Sequence, residues 1–211
     1  VAVFLFDFDG TLADSLGVIV AITNDLAPVF GYVPTDLDQL EDLKGLNTRQ
    51  LIRRSELSVF KIPALLRRLR RELQASSATI PVFPGIPELL EGLKARHTLA
   101  IATSNQPANV QSFLAAHHLE DYFVDIVGGG TLFGKGRLIR RLMKRQGWQP
   151  SEMIYVGDEV RDVEAARFAG IRVAAVTWGF NQPDLLATAK PDWLIDEPTD
   201  LFAIAHTLTQ H

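Results

Sequence analysis

The run Phe4-Leu5-Phe6-Asp7-Phe8-Asp9-Gly10-Thr11-Leu12-Ala13-Asp14-Ser15 sets two carboxylates where an apolar segment stops. Residues 1–6 are short, almost wholly apolar and bounded by polar groups, the pattern of a buried strand. Two neighbouring carboxylates repel each other and cost free energy when desolvated. A strand end beside a cation therefore suits Asp7 and Asp9 better than the middle of a core. Gly10 and Thr11 read as the turn that follows.

Beyond that turn the texture becomes helical. Leu16, Ile19, Val20, Thr23 and Leu26 recur at helical spacing, and Pro28, Gly31 and Pro34 are expected to interrupt them. Further helical patterns cover 37–43, 49–57 and 62–73, and no strong strand intervenes. The second half alternates: helices are expected at 87–95, 107–117, 137–146, 160–169 and 200–208, strands at 98–103, 123–127, 153–156, 172–176 and 193–195. Such alternation predicts an α/β fold: a Rossmann-like parallel sheet core with helices on both faces. The expected division is a core of residues 1–13 and 82–211 and an inserted all-helical cap of residues 14–81.

Parallel sheets of this kind bind ligands beyond the carboxyl ends of their strands. Asp7 and Asp9 end the first strand, Thr103, Ser104 and Asn105 the second, and Gly157 and Asp158 a later one. A divalent cation offsets the repulsion of clustered carboxylates, and magnesium takes carboxylate oxygens together with substrate phosphates. Asp158 is a natural contributor; Asp162, one helical turn later, can face the same site. Glu159 and Arg161, between them, are expected to point elsewhere. Ser104 and the amides from Asn105 onward sit at a strand-to-helix junction that can hold an anion, and Lys135, among glycines, can place an ammonium over a phosphate. The set suits phosphoryl transfer, which depends on positioning and charge neutralisation.

Composition narrows the class. The 211 residues are 47% apolar and 22% charged, with a net charge of −4, a balance that does not suggest a nucleic-acid binder. The absence of cysteine excludes disulfide and thiol chemistry. No apolar run approaches a membrane span and no secretory leader is visible, so the cytoplasm is the expected compartment. Residues 49–72 hold eight Arg or Lys against two Glu; a solvated helix face accounts for most of this.

Four stretches together resemble the haloacid-dehalogenase-like hydrolase superfamily, in its phosphatase and phosphomutase branch with a small helical cap (phosphoglycolate-phosphatase-like). They are Asp7-Phe8-Asp9-Gly10-Thr11-Leu12, Thr103-Ser104-Asn105, Lys135, and Gly157-Asp158-Glu159-Val160-Arg161-Asp162, in the family's order across residues 3–176. The resemblance implies that Asp7 is the nucleophile that becomes an aspartyl phosphate and that Asp9 is the general acid and base. It implies that Asp7, the Phe8 main-chain carbonyl and Asp158 bind Mg2+, with Asp162 acting through water or by orienting Lys135. Ser104, Asn105 and Lys135 would bind the phosphoryl oxygens. Relatives commonly follow the lysine with proline, whereas Gly136 follows here, leaving Lys135 on a glycine loop. Leu43-Lys44-Gly45-Leu46-Asn47-Thr48-Arg49 resembles a cap substrate loop from which Arg49 would reach the substrate, a helix N-cap at Asn47 or Thr48 being the competing reading.

The implied activity is magnesium-dependent hydrolysis of a small phosphorylated metabolite. A phosphomutase would use the same catalytic set, and a phosphonate hydrolase would need a cap lysine such as Lys44 or Lys61. A phosphate-sensing scaffold would need neither Asp7 nor Asp9. Neither nucleic acid nor membrane is expected as a partner.

Overall fold

The computed structural model describes residues 1–129 and 134–208. Six strands, β1 (Val3–Phe6), β2 (Thr98–Ala102), β3 (Asp125–Val127), β4 (Met153–Gly157), β5 (Arg172–Val176) and β6 (Trp193–Ile195), form one sheet in the order β3-β2-β1-β4-β5-β6. Every pairing is parallel, which bears out the expected α/β architecture. The central strand β1 is wholly buried because both of its faces are covered. Successive side chains serve opposite faces. Phe4, Phe6, Leu99, Ile101, Ile154 and Val156 belong to one apolar layer; Val3, Leu5, Ala100, Ala102, Met153 and Tyr155 belong to the other.

Helices α1 (Leu16–Phe30), α2 (Leu40–Lys44), α3 (Thr48–Arg54) and α4 (Ile62–Ser76) occupy the stretch between β1 and α5 (Ile86–Lys94). With α6 (Pro107–Ala116), α7 (Lys135–Gln146), α8 (Val160–Ala169), α9 (Pro183–Thr188) and α10 (Asp200–Leu208), they complete the α-helices among the described residues. Leu89, Phe113 and Leu201 of α5, α6 and α10 join the first apolar layer. Ile139, Ala166 and Leu186 of α7, α8 and α9 join the second.

The chain leaves and re-enters the sheet region through two adjacent segments. Asp14 N donates to Pro81 O at 2.9 Å and Phe83 N to Leu12 O at 3.1 Å. Between them, Arg67, Arg68 and Arg71 of α4 are exposed while Leu73 is buried, so the basic run is a wetted face. Among the described residues, no helix is long and apolar enough to cross a membrane.

Three local expectations are corrected. α1 continues through Pro28 and stops at Gly31, whose φ of 70° ends it in the left-handed region. Proline in the last turn forfeits only one intrahelical hydrogen bond there. Lys135 is the first residue of α7 rather than part of a glycine loop. α9 was not anticipated, because six residues opening with proline carry little periodicity.

Candidate active site

Because β2 and β4 flank β1, the residues after these three strands share one crevice. Asp7 extends β1 by donating its N–H to Val156 O at 2.8 Å. Its Oδ1 accepts from Phe8 N at 2.8 Å and its Oδ2 from Lys135 Nζ at 2.5 Å. The same ammonium donates to Asp162 Oδ1 at 2.5 Å. Gly136 explains how Lys135 comes so close. A Cβ at Gly136 would lie 2.7 Å from Phe168 Cδ1 and 3.1 Å from Ala165 O, so only glycine lets the first turn of α7 pack onto α8.

Asp158 is fixed from two sides. Its Oδ1 accepts from Thr11 Oγ1 at 2.8 Å and its Oδ2 from Phe180 N at 2.7 Å. Gly10, at φ 79°, lies so close that a Cβ would sit 2.2 Å from Asp158 Oδ2. Asp162 Oδ2 accepts from Glu159 N at 3.0 Å, closing a capping box at the start of α8. One oxygen each from Asp7, Asp158 and Asp162 lie within 4.8 Å of one another, all three residues buried.

Asp9 stands apart from that trio. Asn105 Nδ2 donates to its Oδ2 at 2.9 Å, while its Oδ1 is buried without a hydrogen-bond partner among the described residues. The Asn105 Oδ1 accepts from Gln106 N at 2.7 Å and from Asn109 Nδ2 at 2.9 Å. Asn105, expected on phosphate, therefore has its side chain committed to Asp9 and to the start of α6. Ser104, beside it, is half-buried. The Phe8 carbonyl, expected on the metal, is also otherwise engaged. It accepts from Leu12 N and Ala13 N, each at 3.0 Å, because the tight turn after β1 folds its own amides back onto it. The Phe8 ring packs edge-on against Phe113, centroids 4.9 Å apart.

Burial dominates the electrostatics. It pushes Asp7 up to about 7, with Lys135 opposing and Asp162 reinforcing the rise. Asp158 is held well above the usual carboxylate range by burial and then by Glu159 and Asp162. Asp9 is raised by burial, and the Asn105 hydrogen bond opposes the rise. Burial alone would lower Lys135, but Asp162 and Asp7 outweigh it and raise the ammonium above its ordinary value.

Glu159 and Arg161 do not point away, as the sequence suggested. Glu159 is only 6% exposed. Arg161 Nε donates to Glu159 Oε2 at 2.6 Å, its Nη2 bonds the same oxygen, and Thr48 Oγ1 donates to Oε1 at 3.2 Å. Asp162 draws Glu159 N inward, which turns the neighbouring side chains towards α3. Trp178, Phe180 and Asn181, in the segment after β5, also contact the site. Beyond the Phe180 amide, Trp178 Nε1 donates to Thr11 O at 3.1 Å, and Asn181 Oδ1 accepts from Val160 N at 3.0 Å. Each of these contacts joins a side chain to a main-chain atom, and the main-chain half carries no signal in a sequence.

Asn47 caps α3, accepting from Arg49 N and Gln50 N at 3.1 Å each. Arg49 itself is exposed and pairs with Glu164 at 3.2 Å. With Lys135, Arg137 and Arg161 these two residues line a cavity of about 200 Å³. Asp7, Asp158, Glu159 and Asp162 are four buried carboxyl groups facing two cations, Lys135 and Arg161. That excess of oxygen donors fits a hard divalent cation.

The family model for haloacid dehalogenase-like hydrolases matches residues 4–176. The chain belongs to that family. Phosphoglycolate phosphatase of Synechococcus elongatus is 43% identical over 198 residues, 93% of each chain. Phosphoglycolate phosphatase 1 of Pseudomonas aeruginosa is 30% identical, over 95% of this chain and 78% of its own. The crystal structure of a predicted phosphatase from Clostridium acetobutylicum superposes with a TM-score of 0.84 at 25% identity, covering 98% of each chain. These relatives bear out the reading of this family member as a phosphatase enzyme.

Proposed function

We propose that the chain is a magnesium-dependent phosphomonoesterase that hydrolyses a small phosphorylated metabolite, phosphoglycolate first among them, through a phosphoaspartyl intermediate on Asp7. The observation that carries this reading is the difference between the two aspartates of the opening motif. Asp7 sits in the buried carboxylate cluster with one oxygen on Lys135; Asp9 lies outside that trio with one oxygen unengaged. Names of the two relatives supply the substrate class.

In this scheme an Asp7 oxygen attacks phosphorus as the bond to the leaving oxygen breaks, and Asp9 gives its proton to the departing alkoxide. The raised affinity of Asp9 for its proton favours the acid form this step needs. Asp9, now a carboxylate, takes a proton from water as the water attacks phosphorus and releases Asp7. Lys135 offsets charge on Asp7 and, with Ser104, faces the phosphoryl oxygens. Asp7 and Asp158 would hold the magnesium ion, with Asp162 fixing Lys135 and the ion's hydration. When bound, the ion supplies charge neutralisation for nucleophile and phosphate alike. Residues 14–81 act as the cap, excluding water when closed over the crevice.

Phosphate release from phosphoglycolate, sugar phosphates, nucleotides and pyrophosphate, measured with EDTA and with magnesium, tests the reading. Release that stops with EDTA and returns with magnesium, but little with calcium, is expected. Unchanged turnover in metal-free buffer, or none from any ester with magnesium, refutes it.

A further inference from the structure

We propose that Arg161 is the specificity residue for this site, receiving a carboxylate that the substrate carries a short linker away from its phosphoryl group. The inference rests on the phosphatase reading and adds to it the chemistry of the non-reacting end.

A guanidinium offers five N–H groups in a rigid plane. Arg161 directs Nε and Nη2 onto a single Glu159 oxygen. Its Nη1 is buried without a hydrogen-bond partner among the described residues. Leaving such a donor unpaired costs free energy unless a bound group meets it. The side chain is 13% exposed and lines a cavity together with Lys135, whose ammonium bonds Asp7. Glu159 fixes the orientation of the plane, and Thr48 of α3 holds Glu159 in turn.

The phosphoryl oxygens already have Lys135, Ser104 and the metal ligands. Glu159 already meets Nε and Nη2 of Arg161, so the remaining Nη1 is the donor that a further acceptor on the substrate would meet. Arg70, on α4, is held below its ordinary value by burial and by the charge of Arg161, so a second positive group approaches from the helical segment. Arginine pairs with carboxylate through charge-assisted hydrogen bonds, and the small cavity suits a compact acid.

Calorimetric titration with two non-hydrolysable probes tests the assignment without relying on turnover. Phosphonopropionate carries a carboxylate and propylphosphonate does not. With magnesium present, the wild type is expected to bind phosphonopropionate roughly 10- to 100-fold more tightly, the range of a hydrogen bond to a charged group. Arg161→Met should abolish that preference. Arg161→Lys, which keeps the charge and guards against a folding defect in the first variant, should retain only part of it. Equal wild-type affinities, no detectable binding of either probe, or a preference that survives in both variants overturns the proposal. Wild-type phosphate release from phosphoglycolate and from a neutral alkyl phosphate, run in parallel, separates the two readings. Equal turnover of both esters overturns the carboxylate role and leaves the phosphatase reading standing. No turnover of either, with the probe preference intact, overturns the phosphatase reading alone.

Discussion

Asp7→Asn should stabilise the metal-free protein, and the gain should grow with pH. In an unfolded chain an aspartate ionises around its ordinary 3.8, whereas burial holds Asp7 at about 7. Below pH 3.8 both states carry the proton and Asp7 contributes nothing to the pH dependence. Between those values the native state retains a proton that the unfolded state has lost, so stability falls as pH rises. The fall follows ~1.4 kcal/mol per pH unit and totals about 4 kcal/mol, levelling off above pH 7. Asparagine keeps the shape and an acceptor for Phe8 N but removes the titration. The stability difference between variant and wild type should therefore be small near pH 4 and approach ~4 kcal/mol at pH 8 in EDTA.

Using the difference between two proteins cancels the other carboxylates, whose own titrations shape each single curve. Urea unfolding followed by circular dichroism at several pH values supplies it. Magnesium should narrow the gap, because an ion that binds only the native wild type stabilises it by mass action, ~2.7 kcal/mol at a hundredfold excess over Kd. A difference that stays flat from pH 4 to 8 in EDTA, or a variant less stable than wild type at pH 8, refutes the reasoning.

Asp9→Asn should lower kcat by roughly 10²–10⁴-fold on an alkyl phosphate. The loss should be smaller with an activated aryl phosphate, and phosphorylated Asp7 should accumulate; acid quench, peptide mapping and mass spectrometry would locate the label. Gly136→Ala should cost about 1–3 kcal/mol in chemical unfolding through overpacking, since Phe168 can swing aside but the Ala165 carbonyl cannot. Arg49→Ala should raise KM more than it lowers kcat, with a stability change of ~1 kcal/mol or less for an exposed pair; steady-state kinetics showing equal loss in kcat and kcat/KM would contradict this.

The strands and the acidic motif were legible because their signals are local. A buried parallel strand announces itself as an apolar run, and carboxylates at its end are conspicuous against that background. Asp7, Asp9, Asp158 and Asp162 could be named without coordinates for this reason. Contacts made by main-chain atoms were not legible. The Phe8 carbonyl looked available until the turn folded Leu12 N and Ala13 N onto it, and the Phe180 amide on Asp158 has no side-chain signature. Lys135 was assigned correctly to the crevice region but to the wrong element. Gly134 and Gly136 read as a loop, whereas Gly136 is a packing contact within α7.

Glu159 and Arg161 show a different limit. Helical phase alone places residues one apart from Asp158 and Asp162 on other faces. The capping box at the start of α8 overrides that phase, because Glu159 still has extended backbone, with φ −122° and ψ 152°. Once Glu159 is buried, its charge needs a partner, and Arg161 supplies one within the same turn. The pair then joins a site already rich in carboxylates. Burial first, and neighbouring carboxylates after it, hold Asp7 and Asp158 towards their protonated forms, in a site where two cations, Lys135 and Arg161, face four buried carboxyl groups. Under the proposed mechanism, metal binding and ionisation of Asp7 would be one event. On the magnesium reading proposed above, the ion would displace the proton that burial keeps on Asp7, and its affinity should fall as pH drops through about 7. A magnesium Kd that is unchanged between pH 6 and pH 8 would separate the two events and require a different ligand set.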